Sequence, residues 1–412
     1  MSKKLILIAL TPFLFAGCHK KRAEEEKIAR IDLVDSYKTV RKVNLSEIAQ
    51  SIEYIPLGGD SSIIIDEIRS PEENIKFSDN MILVRDTSDE VFLFDASGNF
   101  LNKIGNKGRG PGEYTNLENI ALLHDKNLVV LYDIYPKKVM FFTEKGALVK
   151  DLPVDLWSLG LVSNGTDLIF VNTLGTRQYS DFYGLTVMDT NGKILKRLLN
   201  KPEEEKLSEN ENFRLAGFKG NGYWLDGDFH YFENSTYSKS KIWKINDNYE
   251  LQGKYEINIG EEGKMPLRMQ TEGKILDLAR LIKYNTIESL VESSNHIFAR
   301  IYYAKDKRLN HVFYDKSKKS AVSVRFDKIN RKGINFAFYN DLDGGLPFWP
   351  TGKISDNKFY MLTYGYRLKE YMEGRSPASE LIGDKYKERF LALTENTEIK
   401  DNPILMVVTL KN

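Results

Sequence analysis

With a single cysteine in 412 residues, Cys18, the chain has no second thiol to close an intrachain disulfide, so packing and hydrogen bonds must hold it together. An excess of either charge is missing as well. Its 59 Lys and Arg face 58 Asp and Glu, for a formal net charge of +1, which leaves no global field to draw in nucleic acid. Histidine is scarce, at five residues. The apolar stretch from Leu5 to Phe15 is too short to span a bilayer comfortably. What the chain has in quantity is 22 Tyr, 22 Phe and 29 Gly, a composition that suits strands joined by tight turns.

The N-terminus reads as a targeting segment. Lys3 and Lys4 precede the apolar stretch, and Ala16-Gly17-Cys18 supplies small residues at a cleavage point. Phe15-Ala16-Gly17-Cys18 resembles a lipobox, with Phe15 in place of the usual aliphatic residue. The resemblance implies that residues 1–17 are a lipoprotein signal peptide and that Cys18 is lipidated; the alternative is an ordinary cleaved signal with an incidental cysteine. Residues 18–30 form a polar tether to a cell-envelope membrane, expected to be the outer membrane. Lys20, Lys21 and Arg22 come before Glu24 to Glu26, so the order of charges leaves the periplasmic and surface faces equally open.

Beyond the tether the chain repeats. Phe94-Asp95-Ala96-Ser97-Gly98-Asn99-Phe100-Leu101 aligns with the segments around Gly146 and Gly192, each an apolar strand, a tight turn and a returning strand. The glycines are 48 and 46 residues apart, within the range of propeller-type repeats. A fourth copy, Ile242 to Leu251, places Asn248 where glycine stood, and a fifth runs from His311 to Ser320. Earlier hairpins, such as the one turning at Asn164-Gly165, double each unit to four antiparallel strands. Ile334 to Phe338 with Lys358 to Leu362 supplies a sixth unit. The expected fold is therefore all-β: a six-bladed β-propeller of four-stranded antiparallel blades over residues 31–412.

Three segments depart from the repeat. Ile275, Leu278, Ala279 and Ile282 recur at helical spacing and predict a helical insertion over about 271–284, either a lid on the channel or a buttress. A second short helical pattern covers Tyr386 to Leu393. The strand predicted over 403–410 needs a sheet to join, and Ile52 to Leu57 reads as an edge strand ending at Pro56. The two are expected to meet at the seam that closes the ring.

Gly105 to Tyr114 holds four glycines and a proline in ten positions, which excludes a helix or a central strand. That loop, Asn340 to Pro350 and Asp401 to Leu405 together resemble the Bacteroidota-type six-bladed β-propeller lipoprotein family, whose propeller is NHL-like. The resemblance covers most of the chain after the tether. It implies an envelope lipoprotein of a largely uncharacterised family, suspected of binding or sensing nutrients.

Candidate chemistry is thin. Arg109, Glu113 and Tyr114 on the glycine loop can clamp a carboxylate or sugar hydroxyls, or Arg109 can pair with Glu113 and close the loop. Phe348 and Trp349 form either a carbohydrate platform or a hydrophobic plug. Asp226 and Asp228, like Asp341 and Asp343, stand beside turn glycines where calcium can collect oxygen ligands, although turns use Asp and Gly without any metal. No cofactor is expected beyond that calcium. His124, His230, His296 and His311 fall in different repeats with no paired zinc spacing. The expectation is a non-catalytic module binding a glycan, a peptide or an envelope protein, and no nucleic acid. The alternative is a metal-dependent hydrolase or lyase with an axial site.

Overall fold

A computed structural model describes residues 28–59, 63–175, 182–200, 218–235, 240–260, 284–325, 336–373, 384–398 and 401–411. Six four-stranded blades stand in a propeller arrangement, as the repeat predicts. Blade 1 comprises Ile75–Phe77, Met81–Arg85, Val91–Asp95 and Phe100–Lys103. Blade 2 follows with Leu117–Leu123, Leu128–Asp133, Lys138–Thr143 and Leu148–Pro153, and blade 3 with Leu156–Ser163, Leu168–Gly175, Phe182–Met188 and Ile194–Asn200. Blade 4 holds Phe218–Leu225, Asp228–Ser235, Ser240–Ile245 and Leu251–Asn258. Blade 5 holds Thr286–Glu292, His296–Tyr303, Arg308–Asp315 and Ser320–Val324.

Middle strands such as Leu128–Asp133 and Lys138–Thr143 are buried almost end to end because a neighbouring blade covers each face. A strand enclosed on both sides loses the alternation of a half-exposed one, which is why these segments read as apolar runs. The apolar core is divided into six clusters among the described residues, one for each boundary between adjacent blades. Between blades 4 and 5, for example, Phe232 and Ile242 meet Ile297 and Ala299. No helix among the described residues is long and apolar enough to cross a membrane.

Blade 6 closes the ring from both ends of the chain. Its order is Gly352–Lys353, Lys358–Thr363, Ile404–Leu410 and then Ala49–Pro56, with Leu405 opposite Ile55. The predicted seam is thus present. At its edge Gly98, the blade 1 turn glycine with φ +87°, lies so close to Pro56 that an added Cβ would stand 2.3 Å from the Pro56 carbonyl oxygen. Only glycine fits there.

Three sequence expectations need correction. His296 and His311, read as belonging to different repeats, lie on adjacent strands of blade 5. Ile334 to Phe338 is not a blade strand as far as it is described: Phe338 makes an isolated bridge to Phe348, and Gly352–Lys353 is the inner strand. In blade 4 the left-handed turn residue is Tyr249, φ 56°, rather than Asn248. The Asn246 side chain accepts the Asn248 and Glu250 N–H groups, which fixes the turn one residue later than the glycine alignment implies. The helix at Tyr386 to Leu393 exists as Asp384–Asn396. Residues 1–17, Cys18 and most of the tether lie outside the described residues, as does the predicted insertion up to 283.

Sequence reading did not foresee the path of residues 29–56, which form a strap around half the rim. Ala29–Asp32 adds in parallel to the outer strand of blade 4, and Val40–Arg41 does the same on blade 5, before the chain becomes the outer strand of blade 6. An outer strand otherwise leaves a row of unpaired backbone groups, so the strap covers two open edges. A capping box at Asn44 and Glu47 shapes the bend between its second and third strands.

Candidate functional site

The residues singled out from the sequence fall into separate places. Arg109 is exposed on the glycine loop and makes no ion pair with Glu113 among the described residues; the Glu113 carboxylate accepts the Gly110 N–H at 2.7 Å instead. Tyr114 is fully buried and donates to the Asp89 carbonyl at 2.7 Å, tying the loop to a blade 1 hairpin. Phe348 and Trp349 are also buried. Trp349 stacks between Phe338 and His311, with centroids 5.5 and 4.6 Å away, so it presents no free face. Both Phe348 and Trp349 belong to the apolar cluster between blades 5 and 6.

The four candidate aspartates form two pairs with different surroundings. Asp341 accepts both the N–H and the hydroxyl of Ser46, while Asp343 accepts the Tyr54 hydroxyl, the Asn340 amide and the Gly345 N–H. Both fasten the strap to the lead-in of blade 6. Burial pushes the Asp343 carboxyl up to about 6. Asp228 pairs with Lys244 at 2.6 Å beside the blade 4 hairpin. Among the described residues no three His, Cys, Asp or Glu side chains gather to hold a metal.

Asp226 opens onto a cavity between blades, and Asp343 lines a second one of about 490 Å³ with Tyr54, Tyr386 and Arg389. The inner strands of blades 4, 5 and 6 end side by side, and the hairpin turns that follow them enclose about 400 Å³. Asp226 comes from blade 4, Ser293, Ser294 and Asn295 from blade 5, Asp356 and Asn357 from blade 6, with Leu410 and Lys411 completing the wall. The turns are stitched together. Ser294 Oγ donates to Asp226 at 2.6 Å, and the Asp226 N–H donates to Asp356 at 3.1 Å. Lys353 donates to Asp356 at 3.2 Å and to the Trp224 carbonyl at 2.6 Å, so blade 6 reaches blade 4 directly.

A buried ionic cluster supports this pocket. Glu292, next in the chain to Ser293, has no exposed surface and accepts from Lys316 at 2.5 Å, Lys254 at 3.2 Å and the Tyr223 hydroxyl at 2.5 Å. Burial alone would raise its carboxyl, but Lys316 and Lys254 outweigh that and hold it below the usual value. Lys316 also donates to the Ser293 carbonyl at 2.6 Å, which fixes the pocket turn to the cluster. Desolvation lowers Lys353 to about 8 and His230 to about 4. His230 is therefore neutral at pH 7; its Nε2 lies 3.3 Å from Lys254, and its buried Nδ1 has no partner among the described residues. Several shifted groups beside a cleft mark a candidate site.

Sequence reasoning found Asp226 and missed the rest. Glu292 ends an apolar inner strand just before Ser293-Ser294-Asn295, and a charge at that place was the available signal. Lys254 and Lys316 come from the outer parts of two blades, so nothing in their spacing joins them.

The geometry can be set beside known proteins. The chain matches the family described as "Domain of unknown function (DUF4934)" over residues 28–409. It is similar to the crystal structure of a protein from Bacteroides fragilis described as exported, with a TM-score of 0.66 and 19% identity over 93% of this chain and 100% of that one. A DUF4221 family member from Bacteroides vulgatus aligns over 88% of this chain and 97% of its own, at 8% identity and a TM-score of 0.43. A Bacteroides thetaiotaomicron protein of unknown function aligns over 88% and 76%, at 11% identity and a TM-score of 0.39. No curated protein matches in sequence.

Proposed function

The chain belongs to the DUF4934 family of domains of unknown function, and from that premise we propose that it is a non-catalytic binding module of the cell envelope, held by a lipidated Cys18. The pocket over blades 4 to 6 is its ligand site. The observation that carries this reading is the pocket's lining of carboxylates, hydroxyls, side-chain amides and one amine on a preformed, cross-stitched floor. Asp226 and Asp356 each keep acceptor capacity after their internal bonds, because an ionised carboxylate offers about four acceptor positions. Such a wall suits a small ligand rich in hydroxyl or amide groups, a saccharide or a short peptide. Its size is within the ordinary range for small-molecule sites, roughly 300–1,000 Å³.

The similarity to an exported Bacteroides protein supports an envelope location, as does the signal-like N-terminus. The test is a thermal-shift screen of saccharides and short peptides, followed by calorimetry on any hit. A ligand that raises the melting temperature of the parent chain but not that of Asn295→Ala or Asp356→Ala is expected. Equal shifts in all three would move the site away from this pocket.

A further inference from the structure

The outer edges of the ring are not alike. On blades 4 and 5 the strap covers the edge, and on blade 6 it supplies the outer strand. Among the described residues no strand adds to the outer edges of blades 1, 2 and 3, formed by Phe100–Lys103, Leu148–Pro153 and Ile194–Asn200. Each begins with an apolar pair two and three residues after its turn glycine: Phe100-Leu101, Leu148-Val149 and Ile194-Leu195. Leu101, Leu148, Val149, Ile194 and Leu195 are 43, 37, 50, 38 and 37% exposed, so the same step recurs on three successive blades. The same ladder position holds Ala321-Val322 on blade 5 and Leu251-Gln252 on blade 4; Leu251, Ala321 and Val322 are half-buried, and on blade 4 Ile28 of the strap lies against Gly253.

Cations flank the steps of blades 2 and 3, while on blade 1 Lys103 is paired with Glu90. Lys145, Lys150, Lys193, Lys196 and Arg197 carry no carboxylate partner among the described residues; Lys150 meets Asn191 and the Phe141 ring, and Arg197 the Tyr183 ring. The strap supplies the second observation. Ala29 is opposite Tyr255, and Ile28 lies beside Gly253, so followed backwards the chain runs toward the start of Leu251–Asn258. Ile28 therefore stands at the end of blade 4 that corresponds to the apolar steps of the other blades.

We propose that this half of the rim rests on an anionic phospholipid surface, with the five aliphatic side chains entering the headgroup layer and the cations meeting lipid phosphates. Aliphatic residues among unpaired Lys and Arg have the chemistry of an interfacial membrane contact. The proposed ligand pocket belongs to the other three blades, so docking leaves it uncovered. The inference rests on the envelope location proposed above.

The experiment uses the chain of residues 18–412 with Cys18→Ser, which lacks the apolar Leu5 to Phe15 stretch, is unlipidated and has no other thiol. It is floated with vesicles of phosphatidylglycerol and phosphatidylethanolamine, and with phosphatidylcholine alone. Binding to the anionic vesicles several-fold above the neutral ones, weakened by salt, is expected. An environment-sensitive fluorophore placed through Val149→Cys should shift to the blue on binding, and one placed through Ser320→Cys should not. No flotation, or equal shifts at both positions, overturns the proposal. Concentration-dependent self-association that Val149→Ser with Leu195→Ser abolishes would also overturn it, assigning the patch to a second copy. Fatty-acid labelling of the parent chain at Cys18 keeps the two readings apart: label without vesicle binding sinks the docking surface and leaves the envelope location standing.

Discussion

The hydroxyl of Tyr303, on blade 5, donates to the carbonyl of Leu33, in the strap, at 2.5 Å, and Ser36 Oγ lies 2.6 Å from the same hydroxyl. This fully buried contact locks the first bend of the strap to the ring. Tyr303→Phe keeps the ring packing and removes the donor, so a loss of about 1 kcal/mol in stability is expected. Hydrogen exchange over Ala29 to Arg41 should accelerate while the blade cores keep their protection. Unchanged exchange there would mean that edge pairing alone holds the strap.

Glu292 provides a larger effect. Replacing it by Gln leaves Lys316 and Lys254 without their shared counter-charge, and breaking a buried pair from one side costs about 3–5 kcal/mol. The partial exposure of Lys254 puts the expected loss near the lower figure. Denaturant titration reads it directly. A variant as stable as the parent would show that water or rearrangement relieves the lysines.

The Asp343 carboxyl gives a pH dependence with a definite sign. Its folded pKa of about 6 is above the ordinary 3.8, so the folded state binds the extra proton between these values. Stability from this group is present at about pH 4 and declines as pH rises through 6, by about 3 kcal/mol in total. His230, held near 4, works in the opposite direction because acid favours its unfolded, charged form. The comparison is therefore between parent and Asp343→Asn in urea titrations from pH 4 to 7. The gap should change with pH in favour of the variant, and a constant gap would contradict the assignment.

Chelator treatment should leave the melting temperature unchanged, since Asp341 and Asp343 accept hydrogen bonds from the strap and from their own loop. Elemental analysis of the purified protein checks this. Stoichiometric calcium whose removal lowers the melting temperature would revive a cation site at Asp226 or Asp228.

The ring was legible from the sequence because turn chemistry is local. Asp95 and Gly98 set their hairpin through contacts within five residues, and the same pattern recurs at Asp189 and Gly192. The seam was legible because an apolar terminal strand such as Ile404–Leu410 must find a partner. The strap was not, since Val40–Arg41 is short, exposed and without alternation. Nor was the Glu292 cluster, whose members come from three separate strands and a turn in two blades. The aspartates at 341 and 343 were noticed for the right chemistry, oxygen donors converging in a turn, but their partners proved to be Ser46 and Tyr54, nearly 300 residues earlier in the chain.

The strap also sets a timetable. A ribosome delivers Ala29 long before Tyr255, and Ile55 long before Leu405, yet these are pairing partners. Blades 1 to 3 contain only neighbours in sequence and can assemble as they emerge. The first segment made must wait, unpaired, for the last, and contacts this distant are the slow ones to form. A nascent chain halted anywhere before residue 404 is a broken circle with its clasp hanging free.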